Sequence, residues 1–137
     1  MRRATWLVAT VVCLVAAYGS ASPLTEGILG TWINIDPEAQ GLAQIVILPS
    51  ETGGLNVFGY GVCDPDYCDW GPTPLYLAAT PISFEPEFGV AIWEEASSVV
   101  VLTFLQEGEF LVAQLYYFWT DGTGEPYREL ALLRKVY

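Results

Sequence analysis

The chain has 137 residues, 53% of them hydrophobic, with 5 basic residues against 16 acidic ones and no histidine. One domain is expected at this length. The missing histidine excludes a Ser-His-Asp triad, a Cys-His pair and any histidine-containing zinc site, and it removes the usual general base near neutral pH. The shortage of Lys and Arg makes nucleic acid and anionic lipid poor partners, whereas a cation or a basic protein patch suits the field.

Arg2 and Arg3 precede an apolar run from Trp6 to Tyr18 and the small residues Gly19, Ser20 and Ala21. This is the layout of a signal peptide over residues 1–21, leaving a domain at 22–137 that is secreted or periplasmic. The apolar run is short of the ~20 residues a spanning helix needs, so no stable membrane span is expected after processing. Cys13 splits that run and follows bulky Val12, which argues against a lipoprotein site. Beyond residue 21 the only basic residues are Arg128, Arg134 and Lys135.

From Ile28 onward short apolar runs alternate with Gly, Pro and Asp clusters. The runs predict eight strands: 28–35, 43–48, 55–62, 75–79, 89–94, 98–105, 110–120 and 127–134. Asp36-Pro37, Glu51-Thr52-Gly53-Gly54 and Asp121-Gly122-Thr123-Gly124 punctuate them, Gln106-Glu107-Gly108-Glu109 reads as a tight hairpin turn, and Pro37 to Gly41 allows one helical turn. Eight strands without intervening helices predict an all-β fold, an eight-stranded antiparallel up-and-down barrel, with a two-sheet β-sandwich as the alternative. Such a barrel leaves room for packed side chains or one small ligand. Val99-Val100-Val101-Leu102 and Leu115-Tyr116-Tyr117-Phe118-Trp119 are apolar on both faces. One face fills the barrel. The other has to meet something, most simply a second copy in a homo-oligomer, unless outer aromatics pack under Pro81–Phe88.

Gly30-Thr31-Trp32-Ile33-Asn34 opens the first strand. It resembles the Gly-x-Trp signature of the calycin barrels, the lipocalins and avidins. That resemblance implies that Trp32 closes one barrel end beneath a late arginine, Arg134 by position with Arg128 second, and that Asn34 points inward toward a ligand. Otherwise Trp32 is core and Asn34 caps the Asp36-Pro37 turn. Trp32-x-Asn34-x-Asp36-Pro37 and Gly61-x-Cys63-x-Pro65-x-x-Cys68-Asp69-Trp70-Gly71 together resemble an uncharacterised family of bacterial secreted proteins, which brings no activity with it. The later strands match avidin only in spacing, and biotin binding is not implied.

Cys63 and Cys68 in an exported chain predict a disulfide that pins the loop between the third and fourth strands. A zinc site would need two further ligands, and a redox Cys-x-x-Cys has two spacer residues rather than four. Asp64, Asp66 and Asp69 offer oxygen ligands for calcium but lack the twelve-residue pattern of calcium loops, and aspartates favour turns for local reasons. Glu94-Glu95 and Glu85/Glu87 are carboxylate pairs of the kind glycosidases use, but they equally suit a solvated surface. The expectation is therefore a non-enzymatic barrel without cofactor or metal. It binds a small, partly apolar or cationic ligand in or at the mouth of the barrel through Trp32, Asn34, Phe58, Tyr60, Trp70, Tyr117 and Trp119. The alternative is a protein-interaction or inhibitory module that uses the acidic loop 63–71.

Overall fold

Eight strands in sequence order form a closed antiparallel barrel: β1 Gly30–Asn34, β2 Leu42–Pro49, β3 Leu55–Val62, β4 Tyr67–Ala78, β5 Phe88–Glu94, β6 Ser98–Glu107, β7 Phe110–Trp119 and β8 Tyr127–Val136. The computed structural model describes residues 27–83 and 86–137. The expected signal peptide and its cleavage site lie outside the described residues, as does Glu85. Each strand pairs with its neighbours in the chain, and β1 pairs with β8 from Thr31–Val136 to Asn34–Leu133 to close the cylinder. Closure removes the open sheet edges that would otherwise recruit other strands. No helix among the described residues is long and apolar enough to cross a membrane.

The inner face follows the period-2 alternation of each strand. Trp32, Ile45, Ile47, Val57, Leu75, Ala91, Leu102, Phe104, Leu111, Ala113, Leu115 and Leu133 are buried and fill the interior. Large and small residues interlock there. A Cβ on Gly89 would collide with the Phe104 ring, and one on Gly59 would lie 2.6 Å from the Trp70 ring and 3.0 Å from Trp93. One end is sealed by the segment before β1. Trp32 Nε1 donates to the Ile28 carbonyl at 2.8 Å, and Lys135 Nζ donates to the Gly27 carbonyl at 2.9 Å while lying 5.5 Å from the Trp32 ring centroid. The cation over the indole is thus Lys135 and not Arg134. Trp32 pairs with Lys135, and Arg134 is paired one residue along with Ile33, so alternation turns Arg134 outward, where it is exposed.

Two further expectations are corrected. The fourth strand begins at Tyr67 rather than Leu75, so Cys68, Asp69, Trp70 and Gly71 are strand and only residues 63–66 form a loop. The β4–β5 ladder runs only from Leu75 to Ala78, which leaves Pro72 and Pro74 on a stretch with one unpaired side, where a missing N–H is tolerated. The Cys63–Cys68 disulfide, Cα–Cα 5.5 Å, therefore staples the end of a hairpin. It is consistent with an extracellular or periplasmic location. The turn at 37–41 is not helical: the Asp36 carboxylate accepts from Glu38 N–H, and Ala39 N–H donates to the Asp36 carbonyl. The Gly108-Glu109 turn is as tight as expected, with Gly108 at φ 61 supplying the backbone that two-residue hairpins need.

The outer surface is also apolar over much of the wall. Across β5–β8 the register stacks outward side chains in rows: Ile92–Val101–Tyr116, then Val90–Thr103–Gln114–Leu130, then Phe88–Leu105–Val112–Leu132. Val99 and Phe118 complete this face toward one end.

Because Gly59 makes room for two indoles, Gly59→Ala should lower stability by about 1–3 kcal/mol through overpacking. Gly53, a turn glycine where a Cβ meets nothing, is the comparison; its φ of 89 sets the smaller cost of Gly53→Ala. Urea unfolding midpoints of the two variants check the difference.

Candidate functional site

In an up-and-down barrel every second connection falls at the same end. Residues 35–41, 63–66, 95–97 and 120–126 therefore surround the end opposite the Trp32 plug. The inward residues nearest that end are aromatic and form a ladder. Trp93 lies edge-on to Trp70 at 5.4 Å, and Trp70 lies edge-on to Tyr117 at 6.3 Å. Tyr117 stacks on Tyr127 at 4.4 Å with 16° between the planes, and Trp119 lies 5.6 Å from Tyr127. Trp93 is buried and Tyr127 is 48% exposed, so the ladder runs from the core to the solvent. Each ring contact adds about 0.5–1.5 kcal/mol beyond simple burial, which makes the mouth rigid.

Local sequence explains the placement. Gly59 and Gly61 face inward on β3 and leave the Trp70 ring its space. A bulge between the Phe58–Pro72 and Tyr60–Asp69 pairs, eased by Gly71 at φ 74, turns Trp70 toward Trp93. Trp93 Nε1 then donates to the Gly71 carbonyl at 2.9 Å, and the Thr73 hydroxyl donates to the Ile92 carbonyl at 2.5 Å. These two bonds bridge β4 and β5 where their ladder is missing. They leave an outer groove of about 420 Å³ beside Pro72, Pro74, Tyr76, Glu94 and Glu95.

Glu129 is the one inward-facing acid of β8 within the barrel. It accepts the Leu42 N–H on both oxygens, at 3.0 and 3.2 Å, and the Tyr117 hydroxyl at 2.8 Å. Gly41 has no Cβ where this carboxylate sits. Burial and the Glu129 charge push the Tyr117 phenol well above its ordinary value, and Tyr127 shifts up for the same reasons to a smaller extent. Asp121 is held below its ordinary value by bonds from the Thr123 hydroxyl and N–H. Outside the ring of strands, a hollow of about 700 Å³ opens between the 35–41 loop and the start of β8, with Asn34, Asp36, Glu38, Tyr127, Arg128 and Glu129 on its walls.

Charge is concentrated at this end. Asp36 and Glu38 lie in the first loop, Asp64, Asp66 and Asp69 on the hairpin, Glu94 and Glu95 at the third turn, Asp121 and Glu125 in the last loop, and Glu129 within. Among the described residues, Arg128 is the only cation on these segments. The plugged end carries Glu51, Glu87, Glu107 and Glu109 together with Arg134 and Lys135.

Of the residues expected at a ligand site, Trp70, Tyr117 and Trp119 come together at the mouth. Trp32 lies at the opposite end. Asn34 is at the mouth, but its amide is occupied: Nδ2 donates to the Leu42 carbonyl at 2.8 Å and Oδ1 accepts the Asp36 N–H at 3.0 Å. Phe58 and Tyr60 alternate with buried Val57, Gly59 and Gly61 and therefore face outward. Trp93, Tyr127 and Glu129 were not anticipated. The signal for two of them was present in the run Tyr127-x-Glu129-x-Ala131-x-Leu133, which shares one face of β8. Asp69 caps the bulge by accepting the Gly71 N–H at 2.7 Å. Among the described residues no three acids or cysteines converge as a metal site. Comparison with family models, with curated proteins and with solved structures found no match to this chain.

The raised Tyr117 pKa has a definite sign. The folded state keeps a proton that the unfolded chain loses above the ordinary value of 10.0, so stability is intact below pH 10 and declines as pH rises past it. Tyr117→Phe should make that alkaline decline shallower. It should also cost about 1–2 kcal/mol at pH 7, because Glu129 loses a donor. Thermal unfolding between pH 7 and 11 checks both.

Proposed function

We propose that this chain is a non-enzymatic, exported, calycin-like barrel that binds a small, partly apolar organic cation at its mouth. The observation that carries the reading is the aromatic ladder that emerges at Tyr127 beside the Glu129, Asp36 and Glu38 carboxylates. A cation over an aromatic face gains roughly 0.5–2 kcal/mol, and an acidic rim raises its local concentration. Of the two positions expected for the ligand, in the barrel or at its mouth, the packed interior favours the mouth. In this reading Tyr127 and Trp119 supply the apolar contact, and Asp36 and Glu38, which line the 700 Å³ hollow, supply the charge. Glu129 holds Tyr117 and the 35–41 loop in place.

Titration with aryl-substituted quaternary ammonium probes, followed by tryptophan fluorescence and calorimetry, tests this. Binding should weaken with salt, and Tyr127→Ala should weaken it about tenfold. Equal binding of a neutral isostere, or no binding of any probe at millimolar concentration, would sink the reading.

A second reading rests on a different observation. The hairpin tip 63–66 is wholly exposed, carries Asp64 and Asp66, and continues into Tyr67, which is 63% exposed. This suits capture of a basic protein surface by a stapled acidic hairpin. Replacing Cys63 and Cys68 with serine should cost about 2 kcal/mol of stability for a ring this small. It should also abolish binding to immobilised Lys/Arg-rich peptides while the barrel stays folded; undiminished peptide binding counts against this use of the hairpin.

A further inference from the structure

The outer face of β5–β8 meets the hollow beside the mouth only at Arg128, Leu130 and Leu132 of β8, and among the described residues the rest of it is covered by nothing in the barrel. We propose that it is the interface of a two-fold homodimer in which two barrels pack side by side and head to tail. The face is uncharged between its end rows: Glu94 and Arg128 stand at its mouth-end corners, and Glu107 and Arg134 flank Phe110 at the plugged end. Phe118, 42% exposed, projects at the mouth end of this face. Toward the plugged end a hollow of about 320 Å³ opens over Phe88, Thr103, Leu105, Val112 and Gln114.

Phe118 and Val112 are six residues apart on β7, about 20 Å at strand rise. A two-fold axis lying in the interface and running across the strands midway between them, near the Val101–Tyr116 pair, lays each Phe118 in the hollow of the partner copy. Such an interface is isologous and closes on itself, so it makes a dimer and not a filament. The same axis reverses the barrel direction. Each acidic mouth then lies beside the plugged end of the other copy, where Arg134 and Lys135 offset part of the charge of Glu51, Glu87, Glu107 and Glu109, whereas a head-to-head pair would bring the two more strongly acidic rims together.

The area is adequate. Leu105 is 47% exposed and Leu130 65%, and with their half-buried neighbours the face offers roughly 700 Å² per copy, close to the ~800 Å² of a standard interface. A lipid bilayer fits less well. The uncharged run from Val99 to Leu105 on β6 spans about 20 Å along the strand and less after tilt, short of the ~25 Å band of a membrane barrel.

Multi-angle light scattering of protein exported and purified from an expressing host should give twice the protomer mass at about 10 μM. Leu105→Glu should give the protomer mass with an unchanged far-ultraviolet circular dichroism spectrum. Leu48→Glu, on the outer face of β2, should leave the dimer intact. Phe118→Ala introduces no charge and should raise the dissociation constant about tenfold or more. Protomer mass for the wild type at about 100 μM overturns the proposal, as does a dimer that survives both Leu105→Glu and Phe118→Ala. So does flotation of the wild type with phosphatidylcholine vesicles that Leu105→Glu abolishes, which would assign the face to lipid.

Discussion

The β1–β8 ladder is the contact on which the rest of the structure depends. β1 has five residues and meets β8 through four residue pairs, as few as join β1 to β2 or β4 to β5, so it is one of the shortest seams in the wall. Backbone pairing alone does not hold it. Ile35 N–H extends the seam by donating to the Leu132 carbonyl at 3.0 Å. On the inner side Trp32 of β1 and Lys135 of β8 lie together, and each donates to the segment before β1. The seam and the plug are therefore one structure. Loss of the Trp32–Lys135 contact would open both an edge and an end.

Closure also separates the two ends chemically. At the plugged end polar atoms are used up on backbone carbonyls beneath a packed indole. At the mouth one carboxylate, Glu129, ties Leu42 of β2 to Tyr117 of β7 across β8 and β1, and Tyr117 in turn orders the aromatic ladder. A carboxylate held by two donors is fixed in one rotamer, so the aromatic face beside it is ordered in advance. Rigidity at the mouth thus derives from the same alternation that fills the core.

The sequence conveyed the number, order and spacing of the strands well, and the bounds of β3 without error, because apolar runs and Gly/Pro/Asp punctuation mark lengths. It conveyed far less about which face of a strand points inward. Alternation reveals the core only when the opposite face is polar. Here Phe58 and Tyr60 are as apolar as the residues they alternate with, and Arg134 and Lys135 are adjacent and alike in charge. Each misplaced site residue on β3 and β8 is an error of one position, which exchanges inside for outside. The glycines held the missing information. Gly59, Gly61 and Gly89 lie on the inner face because Trp70, Trp93 and Phe104 fill the space in front of them. A glycine inside an otherwise bulky strand marks the crowded face. The cysteine loop was misread for a related reason: two prolines argued against a strand, and only an unpaired side of β4 makes them acceptable.

The distribution of charge resolves an apparent conflict in composition. A chain that is 53% hydrophobic and has 16 acidic residues against 5 basic ones needs its net charge for solubility, yet evenly spread acids would repel one another and any second copy. Among the described residues most of the acids stand at one end, leaving the wall of β5–β8 uncharged between Glu94 and Arg128 at the mouth and Glu107 and Arg134 at the plugged end. Repulsion is then confined to a rim where water screens it. The wall is left free to be covered. Separating the two along the barrel axis lets one small domain carry both an acidic mouth and an apolar flank, with neither compromising the other.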